Sequence, residues 1–244
     1  MRSDNYEAGL ELIETGPSKS QVNKAGKILR RWARGELGSE DSYRNALGVL
    51  LEHRAAFRTP LTKATMGLRS VVRTEICEVE VSQRLKRMPT IIDKLVREPT
   101  MQLSSMQDLG GCRAVLNSID EVRRVQYRLL KNRPPLRISD YIAEHRVSGY
   151  RGVHVVVEYD GRAVEVQLRT QVMHEWATTV ERVGGRLGVD LKSGSGPPEV
   201  LELLQGISEA MAIEEEGGVV DQPMLDILGE LRETAIPFLG GGHR

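Results

Sequence analysis

The chain has 244 residues, 40% hydrophobic and 28% charged, with 24 glycines and 10 prolines, which is typical of a folded globular protein and excludes a disordered or collagen-like chain. No stretch approaches the roughly 18 consecutive apolar residues that a membrane helix needs. The 34 basic residues balance the 34 acidic ones, and neutrality taken alone argues against a polyanionic partner.

The N-terminal part of the chain is predicted to be helical. Its first 16 residues lack the basic-then-apolar pattern of a secretory signal, so we expect a cytoplasmic protein. Apolar residues recur at helical intervals over residues 19–80 and predict three helices. Gly38 and Ser39 serve as a break and an N-cap between the first two helices. Pro60 marks the start of the third, which is expected to continue over residues 61–81.

Strand and helix then follow one another, which predicts an α/β layer. Residues 112–116 form a compact apolar run typical of a buried strand, and residues 121–130 return to helical spacing. The two cysteines, Cys77 and Cys112, are too few for a disulfide framework and form no C-x-x-C pair. Both are expected to be small buried residues.

An antiparallel hairpin is predicted next. Residues 152–159 and 162–169 both alternate, and Asp160-Gly161 between them is a tight-turn signal. Because alternate residues of a strand share a face, Glu165, Gln167 and Arg169 lie together on the second arm. A face that carries a carboxylate, an amide and a guanidinium is more typical of a functional site than of a solvated edge.

The C-terminal part is predicted to be helical and acidic. A helix over residues 171–187 is followed by a flexible linker at 192–198 and amphipathic helices at 199–213 and 222–234. From residue 197 onward there are ten acidic and two basic residues, which leaves a net charge of +8 on the preceding chain. This acidic segment could form an oligomer, dock an antitoxin or screen the basic body, and plain core packing also explains its pattern.

A cluster of positive charge comes before the first predicted strand. Arg84, Lys86, Arg87 and Lys94 lie within eleven residues. Such a cluster suits a triphosphate, and a guanidinium can also stack on a base. A solvated helix face explains the same residues equally well.

Two carboxylates are candidates for a magnesium site. Asp108 precedes Gly110-Gly111, where glycines allow a ligand to approach the backbone, and Arg113 follows. This pattern alone is often a turn. Together with Glu165, however, Asp108 provides the two carboxylates that can hold Mg²⁺ on substrate phosphates.

A glycine-punctuated loop leads into the hairpin and carries Tyr150 and His154. An exposed ring between glycines can stack on a nucleobase, although Tyr150 could instead pack against the hairpin. A lone strand histidine is more often structural than catalytic. The position of His154 opposite the arm that carries Glu165 favours a functional role.

These motifs, in this order, resemble the synthetase domain of the RelA/SpoT family. They are RLKRMPTIIDK at 84–94, QDLGGCR at 107–113, DYI at 140–142, GYRGVH at 149–154, and VEVQLRT with HEWA within 164–177. The resemblance implies an α+β fold of the nucleotidyltransferase-like kind, with a mixed β-sheet flanked by helices. It also implies transfer of the β,γ-pyrophosphate of ATP to a ribose 3′-hydroxyl, with AMP as the leaving group.

The resemblance also implies a role for each motif residue. On the ATP side, Arg84 and Arg113 would sandwich the adenine, and Lys86 and Lys94, with Arg87 beside them, would hold the phosphates. Asp108 and Glu165 would bind Mg²⁺, and Glu165 is also a candidate for deprotonating the attacking hydroxyl. On the acceptor side, Tyr150 would stack on the base and His154 would contact phosphate, with Gln167 and Arg169 in support.

Three departures from the family pattern lie near the acceptor half or its border. Arg87 replaces a small polar residue, the Lys-Pro that usually precedes the Gly-Tyr loop is missing, and the acid after Trp-Ala comes one residue late, at Glu181. The sequence also lacks the His-Asp motif of the hydrolase half, which indicates a short, synthetase-only form. The motif sequences are more similar to those of the toxic small synthetases of toxin–antitoxin or phage-defence pairs than to those of housekeeping small alarmone synthetases. Several of the toxic enzymes modify the 3′ end of tRNA.

The acceptor is therefore predicted to be the 3′ end of tRNA, slightly ahead of GDP or GTP. Residues 122–137 hold six basic and no acidic residues, and Arg30, Arg31 and Arg34 flank Trp32, which suits an RNA backbone. A non-catalytic nucleotide- or RNA-binding protein of the same fold is the competing interpretation. The predicted segments are a helical region over 1–80, a synthetase core over 81–191, and a linker with acidic helices over 192–244.

Overall fold

The structure is a computed structural model that describes residues 16–36 and 38–239. Within these residues the chain forms eight α-helices and one five-stranded mixed sheet, so the predicted α+β fold is confirmed. The helices are α1 Lys19–Ala33, α2 Glu40–Ala55, α3 Arg58–Thr74, α4 Met88–Arg97, α5 Ile119–Asn132, α6 Gln171–Leu187, α7 Pro198–Glu215 and α8 Gln222–Leu239. The strands are β1 Val81–Leu85, β2 Gly110–Leu116, β3 Arg137–Asp140, β4 Val153–Tyr159 and β5 Arg162–Thr170.

The chain divides into two compact units, and the three predicted segments stay a prediction. The first unit contains the described residues up to Arg58 and residues Lys86–Met106. The second contains Thr59–Leu85 and the described residues from Gln107 onward. Residues 1–15, on which the expectation about a secretory signal depends, lie outside the described part of the chain. No helix among the described residues combines the length and the apolar character needed to span a bilayer.

The first unit is helical. Ser39 caps α2 through its side chain, as the sequence predicts, and a capping box at Ser18 begins α1. α1 packs against α2 and α4. Arg30 of α1 donates hydrogen bonds to the carbonyls of Leu95 and Met101, which ties α1 to the end of α4 and the turn beyond it.

The third predicted helix is shorter than expected. α3 ends at Thr74 instead of continuing to residue 81, because Ile76 adopts a left-handed conformation with φ of 57° and breaks the helical path. The chain then enters β1, a strand that the sequence analysis missed. The alternation signal is weak there, since only Val81 of the five residues of β1 is buried.

The sheet of the second unit has the strand order β1-β2-β5-β4-β3, in which β2 and β5 are parallel and the other pairs antiparallel. Its apolar face forms one core with α3 and α5, and this core includes both cysteines. The predicted hairpin is confirmed as β4 and β5, with Asp160 and Gly161 both at positive φ in its turn. The opposite, polar face of the sheet carries the candidate site.

The C-terminal helices complete the second unit. α6 ends at Leu187 as predicted, and α7 and α8 extend a few residues beyond the predicted helices. A second apolar cluster joins Trp176 of α6 to Val200, Leu203 and Leu204 of α7. The Trp176 Nε1 group donates to the carbonyl of Leu204 at 3.1 Å. The acidic segment therefore packs into the fold through the apolar side of α7.

Candidate active site

The register of three strands brings four of the predicted residues onto one face of the sheet. Arg84 of β1 pairs with Gly111 of β2, which in turn pairs with Glu165 of β5. Two residues further along, Arg113 pairs with Gln167. Because directly paired residues project to the same side of a sheet, these side chains share the polar face.

One candidate carboxylate precedes β2, and the other lies on β5, the parallel neighbour of β2. Asp108 is half-buried and stands two residues before β2, and Glu165 is paired with Gly111 near the start of β2. No group of three or more His, Cys, Asp or Glu side chains that could cage a metal occurs in residues 16–36 and 38–239. Two carboxylates fit Mg²⁺, which usually takes one or two carboxylates and completes its shell with substrate phosphates and water.

Glu165 is held in place by a buried hydrogen-bond network. Its side chain is 12% exposed, and its Oε1 lies 2.9 Å from His154 Nδ1. The other oxygen, Oε2, accepts a hydrogen bond of 2.6 Å from Gln167 Nε2. Both carboxylate oxygens therefore have a hydrogen-bond partner, which fixes the plane of the group.

The network continues through Tyr150 and Arg169. The Tyr150 hydroxyl lies 2.5 Å from His154 Nε2 and accepts a hydrogen bond of 3.0 Å from Arg169 Nε. Arg169 Nη2 also donates to Gln167 Oε1 at 2.9 Å. Burial lowers the pKa of His154 and raises the pKa of Tyr150, so both groups are held neutral near pH 7.

The prediction of an exposed Tyr150 ring is wrong. The side chain is fully buried and belongs to the apolar cluster of α6 and α7. Ser208 of α7 donates to the carbonyl of Gly149 at 2.6 Å, and Gly149 has φ of +82° with no room for a Cβ beside Ser208. Because α7 covers the loop, neither face of the ring is open to a base in this conformation.

Positive charge is concentrated around this network. Burial, with the like charges of Arg169 and Arg84, lowers the pKa of Arg113 to about 10. Arg113 donates to Gln167 Oε1 at 3.3 Å and lies 3.3 Å from His174 Nδ1. Neighbouring guanidinium groups lower one another's pKa because their positive charges repel. A bound polyanion would offset this repulsion.

Lys192 is a site residue that the sequence analysis missed. Its Nζ lies 4.9 Å from the centre of the Tyr150 ring and 2.8 Å from Glu181 Oε1. Burial, with the charge of Arg169, lowers its pKa to about 8. The sequence of the predicted linker does not indicate a site residue. The position of the Lys192 ammonium depends instead on the path of the chain after α6.

The lowered pKa of Lys192 predicts a pH effect on stability. Between about pH 8 and the ordinary lysine value of 10.5 the unfolded chain holds this proton and the folded chain has lost it. The free energy of unfolding contributed by Lys192 therefore rises with pH across that window. Urea denaturation of wild type and Lys192→Met at several pH values should show a difference that grows with pH. A constant difference would contradict this expectation.

The remaining predicted ATP-binding residues belong to the first unit. Lys86 and Arg87 precede α4, and Lys94 lies within it. Lys86 and Lys94 are half-buried, and Arg87 is exposed. Arg84, by contrast, lies on β1 in the second unit. Their joint role on the ATP phosphates stays a prediction.

The basic segments that suggested RNA are largely occupied by contacts within the protein. Arg123 forms an ion pair with Asp140, and Arg124 and Arg128 lie against Glu75. Arg133 donates to the carbonyl of Glu158 and lies over the ring of Tyr159. In the first unit Arg31 pairs with Glu36, and Arg34 bonds to the Val96 carbonyl. These arginines thus have partners within the protein, and the tRNA acceptor stays a prediction.

Comparison with known proteins agrees with the motifs and the fold. A family model described as a region found in RelA and SpoT proteins matches residues 83–182. The GTP pyrophosphokinase YjbM of Bacillus subtilis is 32% identical over 170 residues, which cover 65% of this chain and 75% of that protein. The chain belongs to the RelA/SpoT family.

Other members show the same relationship. The bifunctional (p)ppGpp synthase/hydrolase SpoT of Escherichia coli is 31% identical over 150 residues, 58% of this chain and 21% of that protein. The crystal structure of small alarmone synthetase 1 from Bacillus subtilis bound to its product pppGpp is similar with a TM-score of 0.55 at 29% identity, covering 71% of this chain and 93% of that one. The fold implied by the RelA/SpoT motifs is therefore confirmed.

Proposed function

We propose that this RelA/SpoT-family protein transfers the β,γ-pyrophosphate of ATP to the ribose 3′-hydroxyl of GDP or GTP and releases AMP. Its family and its relatives make it a pyrophosphokinase. The observation that carries the proposal is the polar face of the sheet, where the register aligns Arg84 with Glu165 across β2 and pairs Arg113 with Gln167.

This arrangement matches what the reaction requires of a protein. Phosphoryl-type transfer depends mainly on positioning and on neutralising charge, since the reactants carry the covalent chemistry. Arg84 and Arg113 supply positive charge on the sheet, and the role of Lys86 and Lys94 on the phosphates stays a prediction. Glu165, fixed on both oxygens, is the proposed acceptor of the proton from the attacking hydroxyl.

We infer that Asp108 and Glu165 hold a divalent cation, Mg²⁺. The bound ion would neutralise the charge that develops on the transferred pyrophosphate. In the sheet register Glu165 is paired with Gly111, which follows Asp108 by three residues. Carboxylates are hard oxygen donors of the kind that Mg²⁺ prefers.

A guanine nucleotide is the acceptor that we favour over tRNA. The Bacillus subtilis relative at 32% identity is named a GTP pyrophosphokinase, and a similar structure contains pppGpp. The basic segments that suggested tRNA are engaged with Glu75, Asp140 and backbone carbonyls. The toxin role, the antitoxin partner and the homo-oligomer stay predictions without further support.

Transfer of label identifies the acceptor. The protein is incubated with γ-labelled ATP and Mg²⁺, together with GDP, GTP or deacylated tRNA in parallel, and the products are separated. We expect label on GDP or GTP and an equal amount of AMP. Label confined to tRNA would reject the guanine acceptor and keep the reaction, whereas no AMP from any mixture would reject the pyrophosphokinase activity.

A further inference from the structure

The turn between α6 and α7 places a lysine beside the loop that leads into β4. Lys192 lies in a short 3₁₀ turn, Leu191–Ser193, and its carbonyl accepts a hydrogen bond of 2.9 Å from the buried hydroxyl group of Ser148. Leu191 is 1% exposed and belongs to the apolar cluster of α6 and α7. These contacts fix the backbone of Lys192, so its ammonium can reach only a small region around the loop.

The Lys192 ammonium lies among like charges. Its Nζ is 4.9 Å from the centre of the Tyr150 ring. Burial, together with the charges of Arg169 and Arg113, lowers the pKa of Lys192 to about 8. An ammonium that is both buried and repelled is costly unless an anion lies beside it. In the structure that anion is Glu181, whose Oε1 is 2.8 Å from Nζ.

Glu181 is a half-exposed carboxylate at the edge of this positive region. Its side chain is 45% exposed, whereas that of Lys192 is 19% exposed. Burial favours a raised pKa for the carboxyl, but the positive charges of Lys192, Arg84 and Arg169 outweigh it and lower the pKa. The fold therefore stabilises an anion at the solvent side of the Lys192 ammonium.

A substrate phosphate can take the place of this carboxylate. A phosphate group carries as much negative charge or more and has several acceptor oxygens, which suits an ammonium with three donors. Glu181 can turn to water when it is displaced, since a half-exposed ion pair contributes little to stability. The exchange of one anion for the other on Lys192 is thus inexpensive for the protein.

We propose that Lys192 binds the phosphate groups of the acceptor nucleotide, and that Glu181 is an internal counter-ion that holds the ammonium in place until the acceptor arrives. The inference rests on the proposed function, because it requires a nucleotide acceptor. The acceptor is favoured over ATP because Lys192 is anchored to the loop over residues 148–154, on which the family resemblance places the acceptor. Glu181 is also the acid that departs from the family pattern by one position.

Substitutions of the two partners should have opposite effects on the acceptor. Lys192→Met is expected to raise KM for GDP about tenfold or more, the usual effect of losing a hydrogen bond to a charged group. Glu181→Gln removes the competing carboxylate and should lower KM for GDP about two- to fivefold. The double variant should behave like Lys192→Met, because Glu181 acts through Lys192. KM for ATP should stay within about twofold in all three.

The matched controls are Lys63→Met and Asp160→Asn, which remove an ion pair of 2.7 Å whose side chains are 53% and 42% exposed. Both should leave the KM values unchanged, and thermal unfolding shows whether each variant is folded. An unchanged KM for GDP in Lys192→Met would overturn the proposal. A KM for GDP that rises in Glu181→Gln as well would also overturn it, since the pair would then be structural. A raised KM for ATP alone would move Lys192 to the other substrate and reject its acceptor role.

Binding measured without turnover separates this inference from the proposed function. GDP is titrated into wild type, Lys192→Met and Glu181→Gln by calorimetry in the absence of ATP, with guanosine in parallel. We expect the dissociation constants for GDP to follow the KM pattern and those for guanosine, which has no phosphate, to be equal. This pattern in a protein that releases no AMP would reject the proposed function and keep the phosphate site. AMP release with a GDP affinity that is independent of Lys192 would do the reverse.

Discussion

Replacement of Asp108 by asparagine is expected to lower the rate of AMP release about a thousandfold. Asparagine keeps the size and one oxygen but removes the negative charge that would hold the cation beside the ATP phosphates. A bound divalent ion contributes several kcal/mol of charge stabilisation in the transition state. Loss of about 4 kcal/mol corresponds to a thousandfold loss of rate. The measurement is AMP release against Mg²⁺ concentration, with saturating ATP and GDP.

The control for Asp108→Asn is Asp120→Asn, the same change at an exposed position in the first turn of α5. This variant should keep the wild-type rate and the wild-type response to Mg²⁺. Thermal unfolding of both variants separates a local effect from a loss of fold. An Asp108→Asn enzyme within tenfold of the wild-type rate would contradict the assignment of Asp108 to the cation.

Replacement of Glu215 by alanine is expected to destabilise the protein by about 3–5 kcal/mol, the usual cost when one partner of a buried ion pair is removed. Glu215 Oε2 lies 3.0 Å from Arg151 Nη1, and the two side chains are only 7% and 9% exposed. The pair joins the last residue of α7 to the loop that carries Tyr150. Without Glu215 the guanidinium of Arg151 would stay buried and uncompensated. Urea denaturation measures the change.

Glu214→Ala is the matched control, since this neighbouring residue of α7 is exposed. Its effect should stay within about 0.5 kcal/mol, as for most surface substitutions. The double variant Arg151→Met with Glu215→Leu should recover most of the lost stability, because an apolar pair of similar volume avoids the buried charge. A Glu215→Ala protein as stable as wild type would show that Arg151 finds water or another partner.

Most helices and the central hairpin could be predicted because their signals are local. The Asp160-Gly161 turn, the alternation of β5 and the Ser39 cap each depend on a few neighbouring residues. β1 and β3 were missed because they are short strands at the two edges of the sheet. An edge strand buries few side chains, so its apolar pattern is weak, and its pairing partner is distant in sequence.

The sequence predicts most of the residues of the candidate site but few of the contacts between them. Alternation in β5 correctly placed Glu165, Gln167 and Arg169 on one face. Lys192 could not be found, because its neighbours Glu181 and Tyr150 are supplied by α6 and by the loop before β4. The RNA surface was predicted from charge alone, and charge patterns do not show which arginines have a partner such as Glu75 within the fold.

The sequence by itself determined the family, the α+β fold and the residues that carry the chemistry, because motif order and strand alternation are properties of neighbouring positions. Only the tertiary structure decided that Tyr150 is buried. Ser208 and Leu204 of α7, more than fifty positions further along the chain, belong to the cover over its loop and ring. The burial of a side chain and its hydrogen-bond partners depend on elements that pack together although they are distant in sequence. The residue type therefore indicates the possible chemistry, and the tertiary contacts determine which role the residue has.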